Sequence, residues 1–139
     1  MKKLLPLIVT GFFTLLLSTS CKKAIEKKAQ DMVLDAMTDG EWIVEQYIEG
    51  SNNISGQFLN YSFRFYKDGT VTGTVNSATT NGTWAANASD YTIASDFPTA
   101  TDPIKKLNGL WKIKDSYWDF VKAERATADG TNVLTLRKK

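Results

Sequence analysis

Leu59-Asn60-Tyr61-Ser62-Phe63-Arg64-Phe65-Tyr66-Lys67-Asp68-Gly69-Thr70-Val71-Thr72-Gly73-Thr74-Val75 reads as two strands and the turn between them. Leu59, Tyr61, Phe63 and Phe65 alternate with Asn60, Ser62, Arg64 and Tyr66, the period of a strand with one apolar face. Asp68-Gly69 supplies the positive φ that a tight hairpin turn demands, and the threonines that follow suit a solvated outer face. Upstream, Trp42, Val44 and Ile48 alternate with Ile43, Glu45, Tyr47 and Glu49. Downstream, Asn81-Gly82 before Thr83-Trp84 and Asp129-Gly130 before Thr131 to Arg137 predict two more glycine turns. Tyr91-Thr92-Ile93 is a short strand. Leu107 to Lys114 and Tyr117 to Glu124 form a strand pair around Asp115-Ser116. Between them lies a loop, Asp96 to Lys106, holding Pro98 and Pro103 and long enough for a lid or a flexible rim. From Glu41 onward this gives an all-β chain of about eight antiparallel strands in a meander, which either closes into a barrel or splits into two packed sheets.

Ahead of the strands the period changes. Ile25, Ala29, Met32, Val33 and Ala36 fall at helical spacing between Lys22 and Thr38, and Gly40 suits the position just past a helix end. Such a helix either closes one barrel end or lies on a membrane. Before it, Lys2 and Lys3 lead an apolar run from Leu4 to Leu17, too short to span a bilayer core of roughly 30 Å as a helix.

Ser18-Thr19-Ser20-Cys21 then resembles the processing site of a bacterial lipoprotein, of the Bacteroidetes type in its relaxed small residues. The resemblance implies that residues 1–20 are a signal peptide that is removed. It also implies that the Cys21 thiol carries fatty-acyl chains such as palmitate. The domain plan is then a signal at 1–20, a lipidated tether and amphipathic helix at 21–39, and a barrel at 40–139. The positions after Cys21 read Lys-Lys-Ala-Ile-Glu-Lys-Lys instead of an acidic surface-export run, which implies an outer-membrane anchor facing the periplasm. These lysines either serve as a soluble spacer or are drawn to anionic headgroups.

Composition narrows the function. The chain has 17 Lys and Arg against 15 Asp and Glu, and losing Lys2 and Lys3 with the signal brings the two counts to 15 each. No global basic field remains to attract nucleic acid. There is no histidine, and the one cysteine is the expected lipid acceptor. The side chains best suited to proton transfer, nucleophilic attack and zinc binding at neutral pH are therefore missing, so no catalytic residue, metal or cofactor is expected.

Gly40-Glu41-Trp42 resembles the Gly-x-Trp of the first lipocalin strand, and Arg137 stands where that family sets an arginine against the tryptophan. Tyr66 to Thr70 and Asn81-Gly82-Thr83-Trp84 resemble the rhythm of lipocalin-like domains in Bacteroidetes lipoproteins. The resemblance spans residues 40 to 137. It implies a lipocalin-like barrel closed by Gly40, Trp42 and Arg137, with Arg125 an alternative partner for the indole. An eight-stranded interior is either packed with side chains or holds one small ligand. Tyr61, Phe63, Phe65, Trp84, Tyr91, Trp111, Trp118 and Phe120 are the candidates to line it. Two functions follow: an envelope lipoprotein binding a small apolar ligand, or a protein-interaction module (adaptor, inhibitor or immunity factor) with a filled barrel.

Overall fold

The computed structural model describes residues 7–139, with side chains from Cys21 onward. The n-region reading of Lys2 and Lys3 and the side chains of the expected signal peptide lie outside the described residues. One helix, α1 (Leu7–Thr38), precedes nine strands: β1 (Trp42–Glu49), β2 (Asn52–Asn53), β3 (Ser62–Phe65), β4 (Thr70–Val75), β5 (Ala78–Asn87), β6 (Thr92–Asp96), β7 (Gly109–Tyr117), β8 (Phe120–Thr127) and β9 (Gly130–Lys138). Each strand pairs antiparallel with its neighbour, and β9 returns to β1 through seven paired positions from Trp42↔Lys138 to Glu49↔Asn132. The ring is therefore a closed eight-stranded barrel. The two-residue β2 hangs on the end of β1, outside the ring. β1 and β3 meet only at Trp42↔Phe63, and the 3-10 turn Ser55–Phe58 covers the rest of that seam.

Gly40 has φ +78° two residues past α1, and Gly69 has φ +88° in the β3–β4 turn, as their sequence settings predict. Other turns lie elsewhere than expected. Asn81-Gly82 is inside β5, and the β4–β5 turn is Asn76-Ser77, both with positive φ. Gly82 is needed for space: a Cβ there would lie 2.5 Å from the Asp96 carbonyl and 2.7 Å from the Phe97 ring. Likewise β7 runs through Asp115-Ser116, and the hairpin turns at Trp118-Asp119.

Two bulges alter which side chains face inward. Glu45 is an extra residue between Val44 and Gln46, which pair with consecutive β9 positions. Beyond it the pleat reverses, so Tyr47 is buried where Ile48 is expected. Lys114 does the same in β7. The core is then Trp42, Tyr47, Phe63, Phe65, Trp84, Trp111 and the β8–β9 aliphatics, completed by Phe58 from the 3-10 turn.

The loop after β6 is a plug, not a mobile rim. Phe97, Ile104 and Leu107 are buried in the barrel end. Arg125 donates to the carbonyls of Asn108 and, at 3.0 Å, Lys106. Tyr47 Oη donates to the Lys106 carbonyl at 2.9 Å, and Trp111 Nε1 to that of Leu107 at 3.0 Å. Lys106 Nζ closes the rim on Glu49 Oε2 at 2.6 Å.

α1 closes the opposite end. Val33, Leu34 and Met37 pack against the core, whereas residues 21–29 are exposed, so the folded unit draws its contacts from Gln30 onward. Among the described residues, no helix is long and apolar enough to cross a membrane.

Candidate functional site

Trp42 anchors the helix to the barrel. Its ring is fully buried, and Nε1 donates to the Met37 carbonyl at 2.9 Å, satisfying an acceptor in the last turn of α1 that would otherwise lack a partner. Gln30 clamps the other side of the helix, donating to the Ala86 carbonyl at 2.7 Å and accepting from the Ala88 amide at 2.8 Å. Lys67 reaches Asp35 at 2.7 Å across exposed surface.

The cation over Trp42 is Lys138, with Nζ 5.4 Å from the ring centroid. Arg137, expected there, points outward. It lies 4.9 Å over Phe120 and pairs with Glu45 at 3.2 Å. Arg137 follows Leu136, which faces the core, so the pleat sends its side chain outside. The alternative, Arg125, stacks 4.2 Å over Trp111 at the plug end. An arginine–indole stack is thus present, at the opposite end of the barrel and on a different tryptophan.

Between these attachments α1 does not reach the β7–β8 hairpin. The gap is an apolar cleft of about 270 Å³, walled by Met32, Val33, Ala36 and Met37 of the helix, by Ala86 and Ile93, and by Ile113, Tyr117, Trp118 and Val121. Trp42 forms part of its lining, the Ser116 and Tyr117 hydroxyls and the Trp118 indole N–H are its polar side-chain groups, and no charged side chain lines it. Ala36 and Ala86 are small where larger residues would fill the space. Lys138 sits at the rim, 4.4 Å over Trp118 and 3.2 Å from Asp39.

The barrel interior is different. The space among Phe63, Phe65, Phe97, Leu107 and Trp111 is about 30 Å³, room for one water. Of the aromatics expected to line a pocket, Phe63, Phe65, Trp84 and Trp111 are buried and fill the barrel. Tyr61 is half-buried beside the β1–β3 seam, lining a second and more polar cleft of about 290 Å³ with Leu59 and Lys139. Phe120 lies outside under Arg137, and Tyr91 is exposed in the β5–β6 turn. Only Trp118 of that set lines the cleft. The helix side of the cleft was visible as the stripe Met32, Val33 and Ala36, which continues through Met37. Nothing in the residues said that this stripe would stop short of the hairpin.

The barrel is similar to a solved fold. Over 77% of this chain and 97% of the other, it matches the crystal structure of a DUF4847 family protein from Bacteroides vulgatus, with 15% sequence identity and a TM-score of 0.56. That likeness is one of fold. No family model and no curated relative matches the sequence.

A cleft of this size and lining shelters one side of a small apolar molecule, or of the end of an acyl chain, from water. Its walls are predominantly apolar, with hydroxyls from Ser116 and Tyr117 and no carboxylate or amine, a lining suited to holding an apolar molecule. Among the described residues, no cluster of carboxylates or thiols is arranged to hold a metal.

Proposed function

We propose that this chain is a lipid-anchored, lipocalin-like protein of the bacterial envelope that binds one small apolar molecule in the cleft between α1 and the β7–β8 hairpin. The observation that carries the reading is the contrast in available space: about 270 Å³ of apolar cleft against about 30 Å³ inside the barrel. The tether begins at Cys21, which is exposed within α1, the helix that leads into the cleft wall. Acylation there holds the protein on the outer membrane, facing the periplasm, and leaves the thiol no catalytic role. The protein works by binding, without a cofactor.

Native mass spectrometry of residues 22–139 purified from the envelope compartment tests the ligand. A stoichiometric extra mass that disappears on denaturation, and is lost in Ala36→Trp, supports the cleft; an extra mass that survives Ala36→Trp puts the ligand elsewhere. Cys21→Ser tests the anchor, with loss of fatty-acid incorporation and release to the soluble fraction expected. Persistent membrane labelling would overturn it.

The packed interior favours a second reading, an interaction module such as an adaptor, inhibitor or immunity factor. A clean apo mass, followed by stoichiometric capture of a partner dependent on Tyr117 and Trp118, would support it.

A further inference from the structure

The exposed aromatic side chains are distributed unevenly. Tyr66 (40%), Tyr91 (65%), Tyr117 (71%) and Trp118 (56%) are the exposed large aromatics of the described residues, and all four belong to turns or strand ends at the helix end. The turns at the plug end contain Gly50-Ser51, Asn76-Ser77 and Ala128-Asp129. Exposure of single apolar residues is ordinary, and Leu59 and Leu110 are exposed away from this end, but the confinement of the exposed aromatic rings to three separate turns at one end is not. Ile25 and Met32, seven apart and so on one face of α1, are exposed as well, and Met32 shares the cleft with Tyr117 and Trp118.

We propose that the helix end of the barrel is a membrane-contacting face, with Tyr66, Tyr91, Tyr117 and Trp118 seated among the headgroups of an anionic bilayer and Ile25 and Met32 against the same surface.

The chemistry favours a bilayer over a protein partner. A protein docking site concentrates its apolar area in one desolvated centre. Here the rings are spread over three turns with charged residues between them, and tyrosine and tryptophan are the side chains that hold an apolar body in lipid and a polar edge in water. The stretch of α1 just after Cys21 carries exposed Lys22, Lys23, Lys27 and Lys28 against Glu26, a local excess of positive charge suited to anionic headgroups. Two carboxylates of this end are tied within their own turns. Asp68 accepts from the Thr70 amide at 2.9 Å, and Asp90 from Asn87 Nδ2 at 3.1 Å. The cleft mouth then opens toward lipid, a source of apolar ligands.

This face does not depend on acylation, so the test omits Cys21. Residues 22–139 contain every contact of the folded unit described above. Of the chain's 4 tryptophans, Trp42, Trp84 and Trp111 are buried, so Trp118 reports the surface. With vesicles containing phosphatidylglycerol, its emission should move to the blue and be quenched by brominated acyl chains. Co-sedimentation should exceed that with phosphatidylcholine vesicles. The double variant Tyr117→Ser, Trp118→Ser should partition roughly tenfold more weakly with an unchanged thermal transition. Retention in the supernatant with both vesicle types would overturn the proposal. So would a double variant that sediments as well as the parent.

Discussion

The two ends of this barrel are closed by different means, and the difference separates stability from binding. At the plug end a chain segment folds back into the barrel, buries Phe97, Ile104 and Leu107, and has its carbonyls taken up by Arg125, Tyr47 and Trp111. At the helix end an external element is laid across the opening and held at Trp42, Gln30 and Asp35, leaving a cleft and a rim of exposed rings. A closure built from the chain between two paired strands can be packed to interior density. A closure supplied by a separate helix fits only where its stripe happens to touch, and the misfit is the space available to a ligand.

If that division holds, cutting into the plug should be the most damaging change. Phe97→Ala removes a buried ring that packs 6.4 Å from Phe63 and should cost roughly 3–5 kcal/mol in chemical denaturation. A loss below about 1 kcal/mol would mean that the plug does not hold its end, and the comparison would fail. Gly82→Ala presses on the same place from the barrel wall, since the new Cβ meets the Asp96 carbonyl at 2.5 Å. Backbone cannot swing away as a side-chain tip can, so a loss of about 1–3 kcal/mol is expected. An unchanged midpoint would show that the wall yields.

Much of the barrel is legible in the residues and the two ends are less so. The β3–β4 hairpin follows from uninterrupted alternation plus Asp68-Gly69, and α1 from its stripe and Gly40. Parity fails past Glu45, because counting by twos assumes a regular pleat and a bulge is invisible until the partner strand is known. Gly82 misleads for a related reason. Asn-Gly usually marks a positive φ, yet here glycine is selected by a close approach of Phe97, a contact that is local in space and distant in sequence. The Pro-bounded loop reads as a rim because its buried residues, Phe97 and Ile104, follow no period, and Leu107 reads as the start of the next strand. The cleft cannot be read at all. It is the distance between α1 and a hairpin whose turn the residues place three positions early, and composition carries no information about distance.

The polar side of the plug gives a smaller and pH-dependent test. Burial chiefly pushes the Tyr47 phenol above its ordinary value of 10.0; Glu49 adds to this, while Arg125 and Lys106 oppose it. Its hydrogen bond to Glu49 raises Lys106 from 10.5. In both cases the folded state holds the proton more tightly than the unfolded chain. Their contribution is therefore complete below about pH 10 and is lost as pH rises through the folded values. Tyr47→Phe should cost about 1 kcal/mol at neutral pH, because the Lys106 carbonyl keeps Arg125 as a donor. It should also move the onset of alkaline destabilisation upward, leaving Lys106 as the first of the two to titrate. The same onset in both proteins would place the alkaline weakness outside the plug.

The smallest expected effect on stability belongs to the helix end. Trp118 is as large as Trp111, but it is exposed at a turn and touches the fold mainly through Lys138 at 4.4 Å. Trp118→Ser should therefore shift the unfolding free energy by no more than about 0.5 kcal/mol, the range of surface substitutions, since an exposed cation–π contact is worth about that much. Denaturation midpoints of Trp118→Ser and the parent measure it directly. A loss above 2 kcal/mol would mean that the hairpin tip closes the barrel after all, and the two ends would no longer divide as described. A neutral result has the opposite consequence. A fold that gains nothing from an exposed indole, although buried Val121 follows close behind it in the chain, leaves that ring free to be used on what lies beyond the surface.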